Sequence, residues 1–596
     1  MLSRYRVFTF LAIALLLLVN GSSSAQTADV TSSHGAFRSA AVPTRRVNVP
    51  RFDGDVRFSE TAIFWFGRVT STENSVDVRV GYNAEHLLIR VGVFDRRLWY
   101  DPTPLPGELT DWDAVTLYLD LDGNIGTVPD GTSRRFDAQL NWWESRENYQ
   151  AAYQGSGSGW EQSSLSFTTS SGWRGDAPNN GTDDRAWNLT YYIPFGELGL
   201  SGEPVQGTVW GLAVAVHDRD EGTGPFEPEQ VWPETMVSTQ PATWGQLAFG
   251  MPTFEPQAAV PDDTITVRHG LDGATVVDAD VGGSSTCGSS AGPDYFPTWG
   301  SLQYPGKTFL NIQNLGDTGD WPCFSRTYVT FPLDAIPPGK VIISATLTMY
   351  QWGNAGEGYD PGPQPSLIQV LTVGEDWDEN TITWNNAPWA VENIASTWAG
   401  VFPTWPGEPR TWDVAGAVVD AYAAGTPVRL ALYESDWNYH SGKYFVSSDA
   451  DEWSKERRPA LAITYGRALA DVAKSAQPTY GDQGDPVTYT LQFLGTGNSL
   501  VLTDTLPLEV SWLGDVEIEG TSVAPTYSAS QHALYWSGAP SLGQEVTIWY
   551  VVSISTGDRE SFRNAAELEE VGGNTSTATA MVIANPYLAH LPVVFR

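Results

Sequence analysis

Across 596 residues, 70 Asp and Glu outnumber 33 Lys and Arg, giving a net charge of −37. The excess is spread along the chain, which excludes the basic footprint that nucleic acid or an anionic membrane surface requires. The length suits about three or four domains with ample cores.

Arg4 and Arg6 precede an apolar run over residues 7–19, and residues 21–25 are small and polar. This layout predicts a secretory signal peptide over 1–25, cleaved after Ala25. As a helix the apolar run reaches only about 20 Å, short of the roughly 30 Å hydrocarbon core, and no other segment is longer. The expectation is an exported chain, secreted or held at the cell surface, with no transmembrane segment. Residues 26–47, rich in Ser, Thr and Ala, read as a flexible lead.

From residue 48 onward, strand-sized apolar runs alternate with Gly, Pro, Asn and Asp. That pattern predicts an all-β fold of three sandwiches in series over 48–250, 262–466 and 467–585. A linker over 251–261 and a short tail over 586–596 complete the division. Residues 87–94 and 114–120 read as strands of the first segment; the clearest helical candidate is 414–424, in the second. Cys287 and Cys323 share the second segment, and export to an oxidising compartment predicts their disulfide, which would stabilise by about 3–4 kcal/mol. Two separate thiols are the alternative, and no Cys/His spacing points to zinc.

In the first segment, Phe52-Asp53-Gly54, residues 113–120, Phe136-Asp137-Ala138-Gln139, Ile193-Pro194-Phe195 and residues 211–218 occur in an order that resembles carbohydrate-binding module family 9. The resemblance implies a β-sandwich that clamps a sugar ring between two tryptophans. Thr110 and Ser238 stand at those two places. The implied platform therefore shifts to Trp112 or Trp232, with Trp99, Trp142 and Trp143 as further candidates, and core or rim packing is the alternative for each. The same resemblance implies calcium, for which Asp120, Asp122 and Asn124 offer oxygens; a strand-ending turn is the alternative. His217-Asp218-Arg219-Asp220-Glu221 reads as a solvated loop in preference to a catalytic set.

The second segment holds Glu-Asp-Trp-Asp-Glu-Asn-Thr-Ile-Thr-Trp-Asn-Asn-Ala-Pro over 375–388. Residues 381–384 have strand character, stopped by Asn385-Asn386 and Pro388. Together with Ser325-Arg326-Thr327-Tyr328, Trp412-Asp413-Val414 and Arg458-Pro459-Ala460-Leu461, this run resembles the DNRLRE domain, grouped with carbohydrate-binding module family 96. Trp377 and Trp384 read as core wedges. Trp389, Trp405, Trp437 and Tyr439, on expected loops, are the better ligand candidates. Residues 262–466 carry 25 acidic against 10 basic side chains, a charge that favours a neutral glycan, or an acidic one bridged by calcium.

In the third segment, Gly484-Asp485-Pro486-Val487-Thr488-Tyr489, Thr503-Asp504-Thr505-Leu506-Pro507 and Asn564-Ala565-Ala566 resemble the domain-of-unknown-function 11 repeats, which implies an immunoglobulin-like stalk. Lys474 and Asn564 are the residue types of an isopeptide bond formed near an acid; ordinary surface residues are the alternative. The tail reads equally as a sorting or docking signal and as a last strand. No nucleophile elbow, zinc-protease helix or phosphate-cradling loop is present, so an enzyme is not expected. The reading is a secreted, non-catalytic polysaccharide-binding protein. The alternatives are a structural envelope or matrix protein contacting other envelope proteins, and an accessory to a polysaccharide-degrading system.

Overall fold

The strand Ala62–Gly67 reads Ala-Ile-Phe-Trp-Phe-Gly and is apolar on both faces. Side chains alternate across a strand, so Phe64 and Phe66 enter one core while Ile63 and Trp65 enter another. That double burial sets the architecture. The computed structural model describes residues 44–586 apart from 124–125, 142–143, 403–406 and 437. The expected signal peptide, most of the lead, the tail from residue 587, and Asn124, Trp142, Trp143, Trp405 and Trp437 lie outside the described residues.

Among the described residues the fold is all-β apart from one α-helix, Ala415–Ala424, and short 3-10 turns. In the first sandwich a five-stranded antiparallel sheet runs in the order Ala62–Gly67, Ser75–Tyr82, His86–Phe94, Ala186–Pro194, Thr168–Arg174. It packs against a second sheet containing Gly245–Phe249, Val209–His217, Ala114–Asp120 and Ser133–Gln139. The second sandwich pairs the strands Val277–Gly282, Ser325–Phe331, Val428–Glu434, Ser366–Val373 and Ala390–Ala399 with a six-stranded sheet centred on Val341–Asn354. The third packs a four-stranded sheet on a six-stranded one around its own core.

The first two sandwiches share a core. Strand Val428–Glu434 sends Leu430 and Leu432 into its own sandwich, but Ala431 and Tyr433 toward the first. Ile63, Trp65 and Phe94 meet Trp299, Trp321, Phe324, Trp384 and Tyr433 there. Phe94 and Trp321 stack at 5.6 Å. The sheets are also joined at their edges, because Arg46–Val49 pairs in parallel with Gly245–Phe249 and bridges Arg46 to Glu392. Buried polar groups fix the register of the seam. Asn48 and Asn393 exchange side-chain and backbone hydrogen bonds of 2.7–2.8 Å, and Arg79 donates to Asn314 and to the Ser435 and Leu315 carbonyls.

Residues 381–384 are not a strand, contrary to their β-branched and aromatic character. Local turns satisfy this backbone: the Thr381 and Ile382 amides bond the Asp378 carbonyl, and the Thr383 amide bonds Asn386 Oδ1 at 2.6 Å. Asx-type bonding offers the chain an alternative to a ladder. The turn is a plug driven into the first sandwich. Asn385 accepts from the Val69 amide and donates to the Val69 carbonyl, both at 2.8 Å, and Trp384 Nε1 donates to Ser75 Oγ at 3.0 Å. The expected linker is partly strand as well, since Ala259–Arg268 begins within it.

Candidate functional site

The three described tryptophans nominated in the first sandwich each pack against a neighbour. Trp232 is 1% exposed and packs on Phe64 at 4.2 Å. Its other side presses on Gly245, where an added Cβ would approach the indole to 2.7 Å. No face is left for a sugar, because a flat edge-to-core fit has consumed it. Trp112 is half-buried, with the Arg219 guanidinium 4.4 Å from its ring centroid. Trp99 is half-buried beneath Gly222, whose Cβ position lies 2.7 Å from the ring. The loop that follows Val209–His217 thus lies over both rings. Trp389, the described loop tryptophan nominated in the second segment, sits at the seam against Phe66 and under Arg45.

Of the expected calcium ligands, the described Asp120 and Asp122 differ in setting. Asp120 is buried within its strand and accepts from Ser133 Oγ at 3.0 Å and Thr132 Oγ1 at 3.3 Å, while Asp122 is exposed on the turn beyond. Carboxylates gather instead at one end of the first sandwich. Asp95 follows His86–Phe94, Asp113 precedes Ala114–Asp120, and Asp218 follows Val209–His217. Oxygens of the three lie within 4.8 Å of one another, all buried. Among the described residues this is the one such group of three or more.

The cluster is held as a preformed set of oxygens. Trp187 Nε1 and the Arg97 amide donate to Asp95 at 2.8 Å. The Trp99 and Arg219 amides donate to Asp113 at 2.7 and 3.0 Å. Asp218 Oδ1 is buried without a hydrogen-bond partner. Burial, and then the neighbouring carboxylates, push Asp113 and Asp218 far above the usual carboxylate range; burial holds Asp95 at about 8. Hard oxygen donors converging in a buried site fit a hard divalent cation, which would replace the protons these acids otherwise hold. Sequence reasoning passed over this trio although each acid stands at a strand end beside an apolar run. His217 alongside is neutral, held down to about 3 by burial, and its Nε2 lies 2.9 Å from Thr116 Oγ1.

A cleft of about 760 Å³ opens where the two sandwiches meet. The first contributes Arg174, Asp184 and Arg185, the second Tyr295, Asp317, Asp320 and Tyr439. Arg174 Nε bonds Asp317 across it at 2.6 Å. Tyr439 is 53% exposed and its hydroxyl donates to Asp320. Burial raises Asp184 to about 6. The floor is rigid: Trp321 donates to the Arg185 carbonyl at 2.9 Å, and Cys323 is disulfide-bonded to Cys287. An open aromatic face among carboxylates and guanidiniums suits hydroxyl-rich ligands, which stack an apolar face and exchange charge-assisted hydrogen bonds. A smaller hollow of about 460 Å³ borders Trp377, Asp378 and Asn386. Trp377 is half-buried there, edge-on to Tyr328.

Residues 301–465 match the model of carbohydrate-binding module family 96. That family's segment includes the Asp317, Asp320 and Tyr439 wall of the cleft. No curated protein sequence matches the chain. Among solved structures, the chain is similar to a family 9 carbohydrate binding module from Caldicellulosiruptor kristjanssonii in complex with glucose. The two are 16% identical over 35% of this chain and 98% of the other, with a TM-score of 0.26. The same module in complex with cellotriose gives 16%, 37%, 100% and 0.26. A non-cellulosomal cohesin from Archaeoglobus fulgidus is 14% identical over 20% of this chain and 93% of its own, with a TM-score of 0.16.

Proposed function

We propose that the chain is an exported, non-catalytic polysaccharide-binding protein whose glycan lies in the cleft between the first two sandwiches. The observation that carries this reading is the family 96 match over residues 301–465, which includes one wall of that cleft. Tyr439 supplies the open ring, Asp317 and Asp320 accept from sugar hydroxyls, and Arg174 and Arg185 donate to ring and hydroxyl oxygens. Asp95, Asp113 and Asp218 hold a calcium ion that neutralises the trio and pins the strand ends behind the cleft wall. With a net charge of −37, a neutral glycan is the easier partner, since a polyuronate is repelled at low salt unless cations bridge it.

Affinity electrophoresis of the full chain against neutral and acidic polysaccharides, with and without calcium, tests the reading. Retardation on a neutral polymer, lost or weakened about tenfold in Tyr439→Ala (about 1.4 kcal/mol), is the expected result. Migration unaffected by every polymer under both conditions would overturn it, and capture of envelope proteins by the same chain would then favour a structural role.

A further inference from the structure

The third sandwich encloses a polar cluster that glycan binding does not use. Lys474 lies on Val472–Gln477, Asp504 on Leu500–Thr505, Tyr550 on Glu545–Ile554 and Asn564 on Glu560–Glu570. Lys474 Nζ donates to both Asp504 oxygens at 2.5 Å, and neither side chain is exposed. Tyr550 Oη donates to Asp504 Oδ2 at 2.6 Å and accepts from Asn564 Nδ2 at 2.6 Å and from Lys474 at 3.3 Å. The amine and the amide therefore share one phenol oxygen. Asn564 is fully buried, and its Oδ1 has no hydrogen-bond partner. These are not the ordinary surface residues of the alternative reading.

Two features of this arrangement are costly for a merely structural cluster. A buried ion pair seldom repays its desolvation, and an unpaired buried carbonyl forfeits a hydrogen bond. The walls are apolar: Leu491, Leu502, Phe562 and Ala566 belong to the surrounding core, and the Tyr489 ring lies 5.0 Å from Nζ. Such a site favours exchange of charge for neutral partners. Burial brings Lys474 down to about 8 and raises Asp504, so the pair moves toward a free amine beside a protonated acid.

We propose that Lys474 and Asn564 become joined by an intramolecular isopeptide bond, with Asp504 as the proton carrier. The Nζ lone pair attacks Asn564 Cγ, and Asp504 donates to Oδ1, the unpaired acceptor, as charge develops there. Nζ gives up a proton through Asp504, the Cγ–Nδ2 bond breaks, and Nδ2 departs as ammonia carrying that proton. One amine and one primary amide yield one secondary amide and ammonia; Asp504 ends as it began, and nothing is oxidised or reduced. The bond links the first strand of the four-stranded sheet to a strand of the opposite sheet. Force applied between the second sandwich and the C-terminal side of the third then passes through a covalent link, bypassing the intervening strands.

Peptide mapping by mass spectrometry of the full chain, after reduction of the disulfide, tests this. The expected product is a branched peptide containing Lys474 and Asn564, lighter than its two parts by one ammonia and missing in Lys474→Arg and Asp504→Ala. Separate wild-type peptides carrying free Lys474 and intact or deamidated Asn564 would overturn the bond, whatever the variants do. Persistence of the branched peptide in Asp504→Ala would overturn the role given to that acid. Because the wild-type result alone decides the bond, a variant that fails to fold does not weaken the test.

Discussion

Asp278 is 2% exposed, accepts from the Ser448 amide at 2.7 Å, and leaves Oδ1 without a partner. Burial, then the charges of Asp449 and Asp280, hold its pKa well above the carboxylate range; Lys307, 2.8 Å from Asp280, pairs with that neighbour. The folded chain thus keeps a proton that the unfolded chain releases above about pH 4. Stability contributed at this site falls as pH rises from there toward the folded pKa. Asp278→Asn retains the acceptor for Ser448 and places an N–H where two acids favour one. It is expected to raise stability at pH 8 by about 1–2 kcal/mol and to flatten the slope between pH 5 and 8, measured by urea unfolding. A variant as pH-dependent as wild type would refute the assignment. At this scale the sequence was least legible. Trp232, Trp112 and Tyr439 are all aromatic residues near turns, yet one is core, one is capped by Arg219, and one is open. Which of these a ring becomes depends on what a distant segment lays over it, and spacing within one segment carries no record of that.

Strands were legible where one pattern had one cause. His86–Phe94, Ala114–Asp120 and the helix Ala415–Ala424 fall where periodicity and turn residues place them. The turn over 378–386 was not, because its apolar residues are buried against another sandwich and not on a pleated surface. Trp384 packs tilted against Phe94 and edge-on to Trp299, and lies 3.6 Å, ring centroid to guanidinium carbon, from Arg326, itself 1% exposed. Trp65 takes another side of that guanidinium at 4.3 Å. Trp384→Ala removes a large core side chain and strips one wall from a buried cation. The expected loss is about 3–5 kcal/mol, read as a lower denaturation midpoint for both sandwiches together. Trp377→Ala, at the half-buried rim of the same turn, is expected to cost clearly less; equal costs would show that the turn is not the plug.

The shared core also decides how the molecule comes apart. Domains strung on linkers unfold one by one, but the first two sandwiches have a fully buried apolar cluster and a joined sheet between them, so neither presents a finished surface without the other. The third has a separate core, and Gln257 to the Gly495 carbonyl is one of a few polar ties to what precedes it. Calorimetry of the full chain is therefore expected to show two transitions, one for residues 44–466 and one for the third sandwich. Perturbations sort between them. Calcium at about a hundred times its dissociation constant adds roughly 2.7 kcal/mol to the first, an increment lost in Asp218→Asn. Reduction of Cys287–Cys323, which closes a separation of 36 residues, lowers the same transition by removing about 3–4 kcal/mol of loop constraint. Lys474→Arg moves only the second. Three transitions, with calcium and reduction acting on different ones, would mean that the first two sandwiches fold as separate bodies, and a cleft whose walls come from both would lose its fixed geometry.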